Sequence, residues 1–125
     1  MSTEATLAKL VTAWNEQDVD TIVSTFAEDG SYHEPAGPDS HGRTHTGPVA
    51  IRSALEKVFR TFPDGLIVLD GPVVIAGNHA HCEWNFEWSD KNENTRSVRG
   101  VDIFTFEDGK LKHKNAYLKQ YVAAA

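Results

Sequence analysis

Two hydrophobic periods divide this chain. In the first third, apolar residues recur at helical spacing: Leu7, Leu10, Val11 and Trp14 form one stripe, and Val19, Ile22, Val23 and Phe26 form a second. Asp18 lies between them, where its carboxylate can cap the second helix. The sequence 28–30 (Glu-Asp-Gly) is read as that helix's end. Residues 31–34 read as a short strand stopped by Pro35, and residues 36–46, rich in Gly, Pro and His, as a loop. Gly47-Pro48 opens a third helix, with proline at its favoured first position. Its stripe is Ile51, Leu55, Val58, Phe59 and Phe62.

After Gly65 the period changes to two. Residues 66–76 read as a strand broken at Gly71-Pro72. Gly77-Asn78 turns the chain into residues 79–88, where Ala80, Cys82, Trp84, Phe86 and Trp88 share one face. His79, His81, Glu83, Asn85 and Glu87 share the other. A further strand runs from Thr95 to Glu107, and Asp108-Gly109 turns it into a last strand over residues 110–122. Helices first and antiparallel strands afterwards predict an α+β fold in which helices cover one sheet face. A sheet that curls around helices encloses an apolar pocket.

The strand Thr95–Glu107 holds the candidate chemistry. Val98, Gly100, Asp102, Phe104 and Phe106 share a face, so Asp102 is an acid among apolar neighbours. An unpaired buried carboxyl tends to keep its proton, and a neutral acid can donate a hydrogen bond to a developing oxyanion. The alternative is that Asp102 caps a loop or pairs with Arg99 or Lys114. The last strand decides between them. If the Asp108-Gly109 turn is a tight two-residue hairpin, Leu111, His113, Asn115 and Tyr117 continue the Asp102 face, and Asn115 lies opposite Asp102. A bulge at the turn would bring Lys114 inward instead, ionise Asp102 and end the oxyanion role.

The chain of 125 residues suits one domain, residues 1–125. A net charge of −6 argues against nucleic acid as a partner. The single cysteine, Cys82, allows no internal disulfide and reads as inert core. No signal peptide and no apolar run of membrane-spanning length is visible, so a cytoplasmic location without membrane attachment is expected. Trp14, Phe59, Trp84, Phe86 and Trp88 are candidates to line a pocket, with plain core the preferred reading of each, since aromatic stripes at these spacings are what a core needs. His79, His81 and Glu83 share a strand face, but a solvated or dimer-facing surface is the preferred reading over a metal site. His33 and His45 lie near Glu34 and could tune it.

Several stretches together resemble the nuclear transport factor 2-like superfamily over residues 5–122. These are residues 15–23 (NEQDVDTIV), 26–30 (FAEDG), Glu34-Pro35, 47–51 (GPVAI), 100–106 (GVDIFTF) and 108–111 (DGKL). The resemblance is strongest to the SnoaL-like polyketide cyclases and the ketosteroid isomerases. It implies a cone-shaped α+β fold, a curved antiparallel sheet around N-terminal helices with an internal pocket, and a homodimer formed through the outer sheet face. Val101 and Ile103, opposite Asp102, would supply apolar residues there.

The resemblance also implies site roles. Glu34 stands where the isomerases carry their catalytic base, and Asp102 where they carry a protonated acid; that protonated acid is a standard example of a carboxyl kept neutral at pH 7. Glu34 has a plainer alternative, bonding to backbone N–H groups or to Arg43. Tyr32 shares the face of Glu34 and could supply the hydroxyl that the isomerases take from their first helix, where this chain has Leu10. The cyclases use an acid on the last strand, and none occurs between Lys110 and Val122. The expected function is a proton-transfer enzyme of isomerase, cyclase or dehydratase type, needing neither metal nor organic cofactor. Its expected partner is a small apolar carbonyl or polycyclic compound. A non-catalytic binding module and a protein-interaction adaptor are the alternatives.

Overall fold

The computed structural model describes residues 2–122. Helix α1 (Thr3–Asn15) is capped by Ser2, whose hydroxyl accepts from the Ala5 amide, and buries Leu7, Leu10, Ala13 and Trp14. Helix α2 (Val19–Ser24) is capped by Asp18, which accepts from the Thr21 amide at 3.2 Å. Strands β1 (Phe26–His33) and β2 (Thr44–Thr46) precede helix α3 (Pro48–Thr61), which buries Ile51, Ala54 and Leu55. Then come β3 (Leu66–Leu69), β4 (Val74–Ala76), β5 (His79–Ser89), β6 (Thr95–Glu107) and β7 (Lys110–Leu118). Among the described residues no helix is long and apolar enough to cross a membrane.

The strands form one sheet in the order β2-β1-β7-β6-β5-β3, with β4 also on β5. All neighbours are antiparallel except β1 and β7, which run parallel. The sheet is curved and unclosed, since β2 and β3 at its two ends do not pair with each other. The Gly71-Pro72 break leaves β3 on one half of β5 and β4 on the other. Helix α1 packs against β3 and β7, and α3 against β1 and β2, so the helices cover the concave face. The α+β expectation holds.

Three boundaries differ from the sequence reading. Phe26 continues the stripe of α2 yet opens β1, because it pairs with Leu111 of β7 and the Thr25 carbonyl accepts from the Leu111 amide at 2.8 Å. Residues 28–30 therefore lie inside a strand. Strand β2 falls in the predicted loop, where it pairs Thr44, His45 and Thr46 with His33, Tyr32 and Ser31. The last strand ends at Leu118, four residues early.

The β6–β7 connection is a two-residue turn with positive φ at Asp108 (52°) and Gly109 (77°), as right-handed strand twist favours. Glu107 pairs with Lys110 and Phe106 with Leu111, but Thr105 pairs with His113. Lys112 is the extra residue of a bulge, and beyond it the faces of β7 exchange. Lys114 and Ala116 point inward and are buried, while Tyr117 is exposed. β1 breaks register against β7 at the same level, between Phe26 and Ser31. Gly30 permits this approach: a β-carbon there would lie 2.8 Å from the Leu111 carbonyl oxygen.

Candidate functional site

The helices do not fill the concave face. A cavity of about 340 Å³ remains between α1, the end of α3 and the sheet. Its walls are Leu10, Val11 and Trp14 from α1, Val58 from α3 with Phe62 just beyond it, Trp84, Phe86 and Trp88 from β5, and Val98 and Phe104 from β6. Gly100 pairs with Trp84 across β5 and β6, and a side chain there would overlap the indole ring, so the glycine gives Trp84 its place in the wall.

Tyr32, Glu34, Asp102 and Lys114 bring polar groups into this apolar space, and Tyr121 also lines it. Asp102 is 8% exposed and lies opposite Cys82 on β5 and Ala116 on β7. Ala116 is small, so the neighbouring Lys114 reaches diagonally across it. Lys114 Nζ stands 3.2 Å from Asp102 Oδ1, with both side chains buried. The same ammonium sits 4.4 Å from the Trp14 ring centroid and 4.9 Å from that of Tyr32, a contact that stabilises a desolvated cation.

This geometry corrects the sequence reading of Asp102. The alternation of β6 does bring it into the cavity, but the bulge at Lys112 sets a cation against it. A carboxylate paired with an ammonium accepts hydrogen bonds and has none to donate to an oxyanion. The donors on the cavity's lining residues include Lys114, Tyr32 and the buried Trp84 Nε1, which has no hydrogen-bond partner among the described residues.

Glu34 lies just past the end of β1, where its amide donates to the Arg43 carbonyl at 2.9 Å. His45, opposite Tyr32 on β2, places its Nε2 2.9 Å from Glu34 Oε2, and Arg43 Nε lies 3.9 Å from the same oxygen. Both members of the Glu34–His45 pair are partly exposed, at 28% and 19% of their side chains. They form an acid–base pair at the wetter side of the cavity. Tyr32 is buried with its ring tilted against His45 at 5.9 Å. Burial first, then the charges of Asp102 and Glu34, push its pKa far above the ordinary tyrosine value. The hydroxyl therefore stays protonated as a donor.

Of the aromatic candidates, Trp14, Trp84, Phe86 and Trp88 line the cavity. Phe59 does not; it packs edge-on behind Trp14 at 5.6 Å, one position off the inward line of α3. Phe62, which sequence reasoning placed on the α3 stripe without a site role, lines the cavity instead. Asn115 and Tyr117 do not line it either. The bulge turns them to the outer face, where Asn115 Nδ2 donates to the Tyr117 hydroxyl at 3.2 Å. Cys82 does line the cavity, and burial followed by the Asp102 charge pushes its thiol up to about 12, against the lesser pull of Lys114. It is no thiolate nucleophile. His79, His81 and Glu83 are exposed on the outer face, and among the described residues no group of three or more His, Cys, Asp or Glu could hold a metal ion.

The SnoaL-like domain model matches residues 7–114, so the chain belongs to the SnoaL-like domain family. No curated protein matches the sequence. Solved structures share the fold at low identity. A protein of unknown function with a cystatin-like fold from Xanthomonas campestris has a TM-score of 0.80 and 22% identity, over 96% of this chain and 92% of that one. A hypothetical protein with a ketosteroid isomerase-like fold from Catenulispora acidiphila, in complex with trimethylamine, has a TM-score of 0.78 and 18% identity, over 90% of this chain and 83% of that one. The epoxide hydrolase/cyclase-like enzyme SalBIII, from pyran ring formation in the polyether salinomycin, has a TM-score of 0.78 and 23% identity, over 94% and 90%.

Proposed function

We propose that this chain is a cofactor-independent proton-transfer enzyme, of cyclase or isomerase type, acting on a small apolar carbonyl or polycyclic compound. The observation that carries the reading is that one apolar cavity holds the buried Lys114–Asp102 ion pair and, at its wetter side, Glu34 hydrogen-bonded to His45. Glu34, held by His45, is the base that takes a proton from carbon or oxygen of the substrate. The Lys114 ammonium and the Tyr32 hydroxyl face the oxygen on which negative charge develops. Asp102 positions Lys114 and balances its charge while the site waits empty of substrate. Membership of a family whose structural relatives include a cyclase-like enzyme supports the same class of chemistry.

The test follows deuterium uptake by α-tetralone in deuterium oxide, read by NMR. The wild-type protein is expected to accelerate exchange, and Glu34→Gln to lower the rate by about 10²–10⁴. A non-catalytic binding module is the second reading, favoured by Leu10, which lines the cavity where the isomerases have a tyrosine. Tight binding of the ketone without exchange would select it. We also propose that two copies pair through the outer sheet face, where Ile103 (42% exposed) and Tyr117 (54% exposed) stand on adjacent strands. A monomer by light scattering at micromolar concentration would end that part.

A further inference from the structure

We infer that Lys114 is a covalent capture site for carbonyl compounds, its amine condensing with a ketone or aldehyde held in the cavity to give an iminium. The inference deepens the proposed function and rests on its reading of the cavity as a carbonyl site.

Three observations carry it. The lysine is 5% exposed yet lines the cavity, so its nitrogen meets a ligand without bulk water. Its one hydrogen-bond acceptor among the described residues is Asp102 Oδ1 at 3.2 Å, and the rings of Trp14 and Tyr32 stand beside it without fixing an N–H. Its partner is itself buried and is the nearest base. Burying a lysine–carboxylate pair in an apolar wall is a poor way to stabilise a fold, since apolar residues of the same volume do as well or better. Its presence in the wall of this cavity asks for chemistry that needs an amine and a base together.

Desolvation supplies the nucleophile. An apolar ligand that displaces water from the cavity disfavours both charges of the pair. A proton then passes from Lys114 Nζ to Asp102, leaving a neutral amine beside a neutral acid. The amine's lone pair forms the N–C bond as the carbonyl π pair moves to oxygen. That oxygen takes the proton given up by nitrogen, with the Tyr32 hydroxyl hydrogen-bonded to it. Asp102 next protonates the carbinolamine hydroxyl, which leaves as water as the nitrogen lone pair forms C=N. The products are an iminium, one water and the Asp102 carboxylate, now the counter-ion of the iminium as it was of the ammonium. Glu34 can take the α-proton of this iminium to give an enamine. The route needs no oxidant or reductant.

The experiment treats the intact protein with β-naphthaldehyde and sodium cyanoborohydride and maps the product by mass spectrometry. The expected result is one adduct, of the probe's mass less one oxygen atom, on the peptide bearing Lys114, and its loss in Lys114→Arg. No adduct at Lys114, or labelling spread over surface lysines to the same extent in Lys114→Arg, overturns the inference. Should Lys114→Arg fail to fold, the wild-type peptide map decides alone. Deuterium exchange that depends on Glu34 without any trapped Lys114 adduct overturns the imine and leaves the proton-transfer reading standing. An adduct at Lys114 without exchange keeps the imine and overturns proton transfer.

Discussion

The two carboxylates of the cavity share a chemistry and differ in everything around it. Asp102 sits on the central strand β6, sealed in with Lys114, and both side chains are about nine-tenths buried. Glu34 sits past the end of β1, paired with His45 and near Arg43, and is partly wet. The inner pair is locked by its surroundings: neither member can leave without stranding the other's charge in an apolar wall. The outer pair can lose a partner and turn to water. A proton-transfer site uses both kinds of placement. In the function proposed above, the buried pair holds the amine and its counter-charge out of water, and the more exposed Glu34 is the group placed to exchange protons with solvent and substrate.

That contrast is open to direct attack. The largest effect is expected at the inner pair. Asp102→Leu leaves the Lys114 ammonium buried and unpaired and should cost about 3–5 kcal/mol of unfolding free energy, read by urea denaturation. The double change Asp102→Leu with Lys114→Met should restore stability to within about 1 kcal/mol of wild type. If the single and double variants are equally unstable, the pair is not electrostatically coupled. At the outer pair the balance should invert. Glu34→Gln should change stability by less than about 1 kcal/mol while suppressing exchange as stated above. A large loss of stability there would erase the distinction between the two pairs.

The cavity wall should respond next. Gly100→Ala drives a methyl group into the Trp84 ring. Overpacking of this kind costs about 1–3 kcal/mol, and it should displace Trp84 in its fluorescence spectrum. Unchanged stability and emission would mean that the ring has free space behind it.

The smallest effect concerns pH. His33, on β1 outside the cavity, has its pKa lowered by burial, then by its neighbours His113 and His41, against a weaker opposing pull from Asp39. The unfolded chain therefore takes up this proton first, near the ordinary histidine value of about 6.5. Stability should fall as pH drops through that value and level off once folded His33 is protonated too. His33→Gln should flatten this part of the stability profile, and an unaltered profile would show that His33 does not contribute to it.

Much of the scaffold is legible in the residues. The faces of β5 and β6 follow from strict alternation, and both are buried as that alternation requires: Ala80, Cys82 and Trp84 on one strand, Asp102, Phe104 and Phe106 on the other. The cap Asp18 and the first-turn proline Pro48 mark helix starts because their effect is local. Phe26 and β2 were not legible, because each is a strand only by virtue of a partner distant in sequence or set across a loop. The Glu34–His45 contact has the same origin, since His45 comes within reach only when β2 folds back along β1.

By itself, the order of residues determined the α+β class, the faces of the central strands and the presence of an acid in an apolar wall, because periods of two and 3.6 are written residue by residue. Tertiary structure alone decided what stands beside that acid. A bulge at Lys112 adds one residue without disturbing any local pattern, so nothing in the run from Lys110 to Leu118 announces it. It arises where β7 meets two neighbours at once, β6 on one side and the parallel, irregular β1 on the other. One residue of slip is enough to exchange an asparagine for a lysine at the centre of the site.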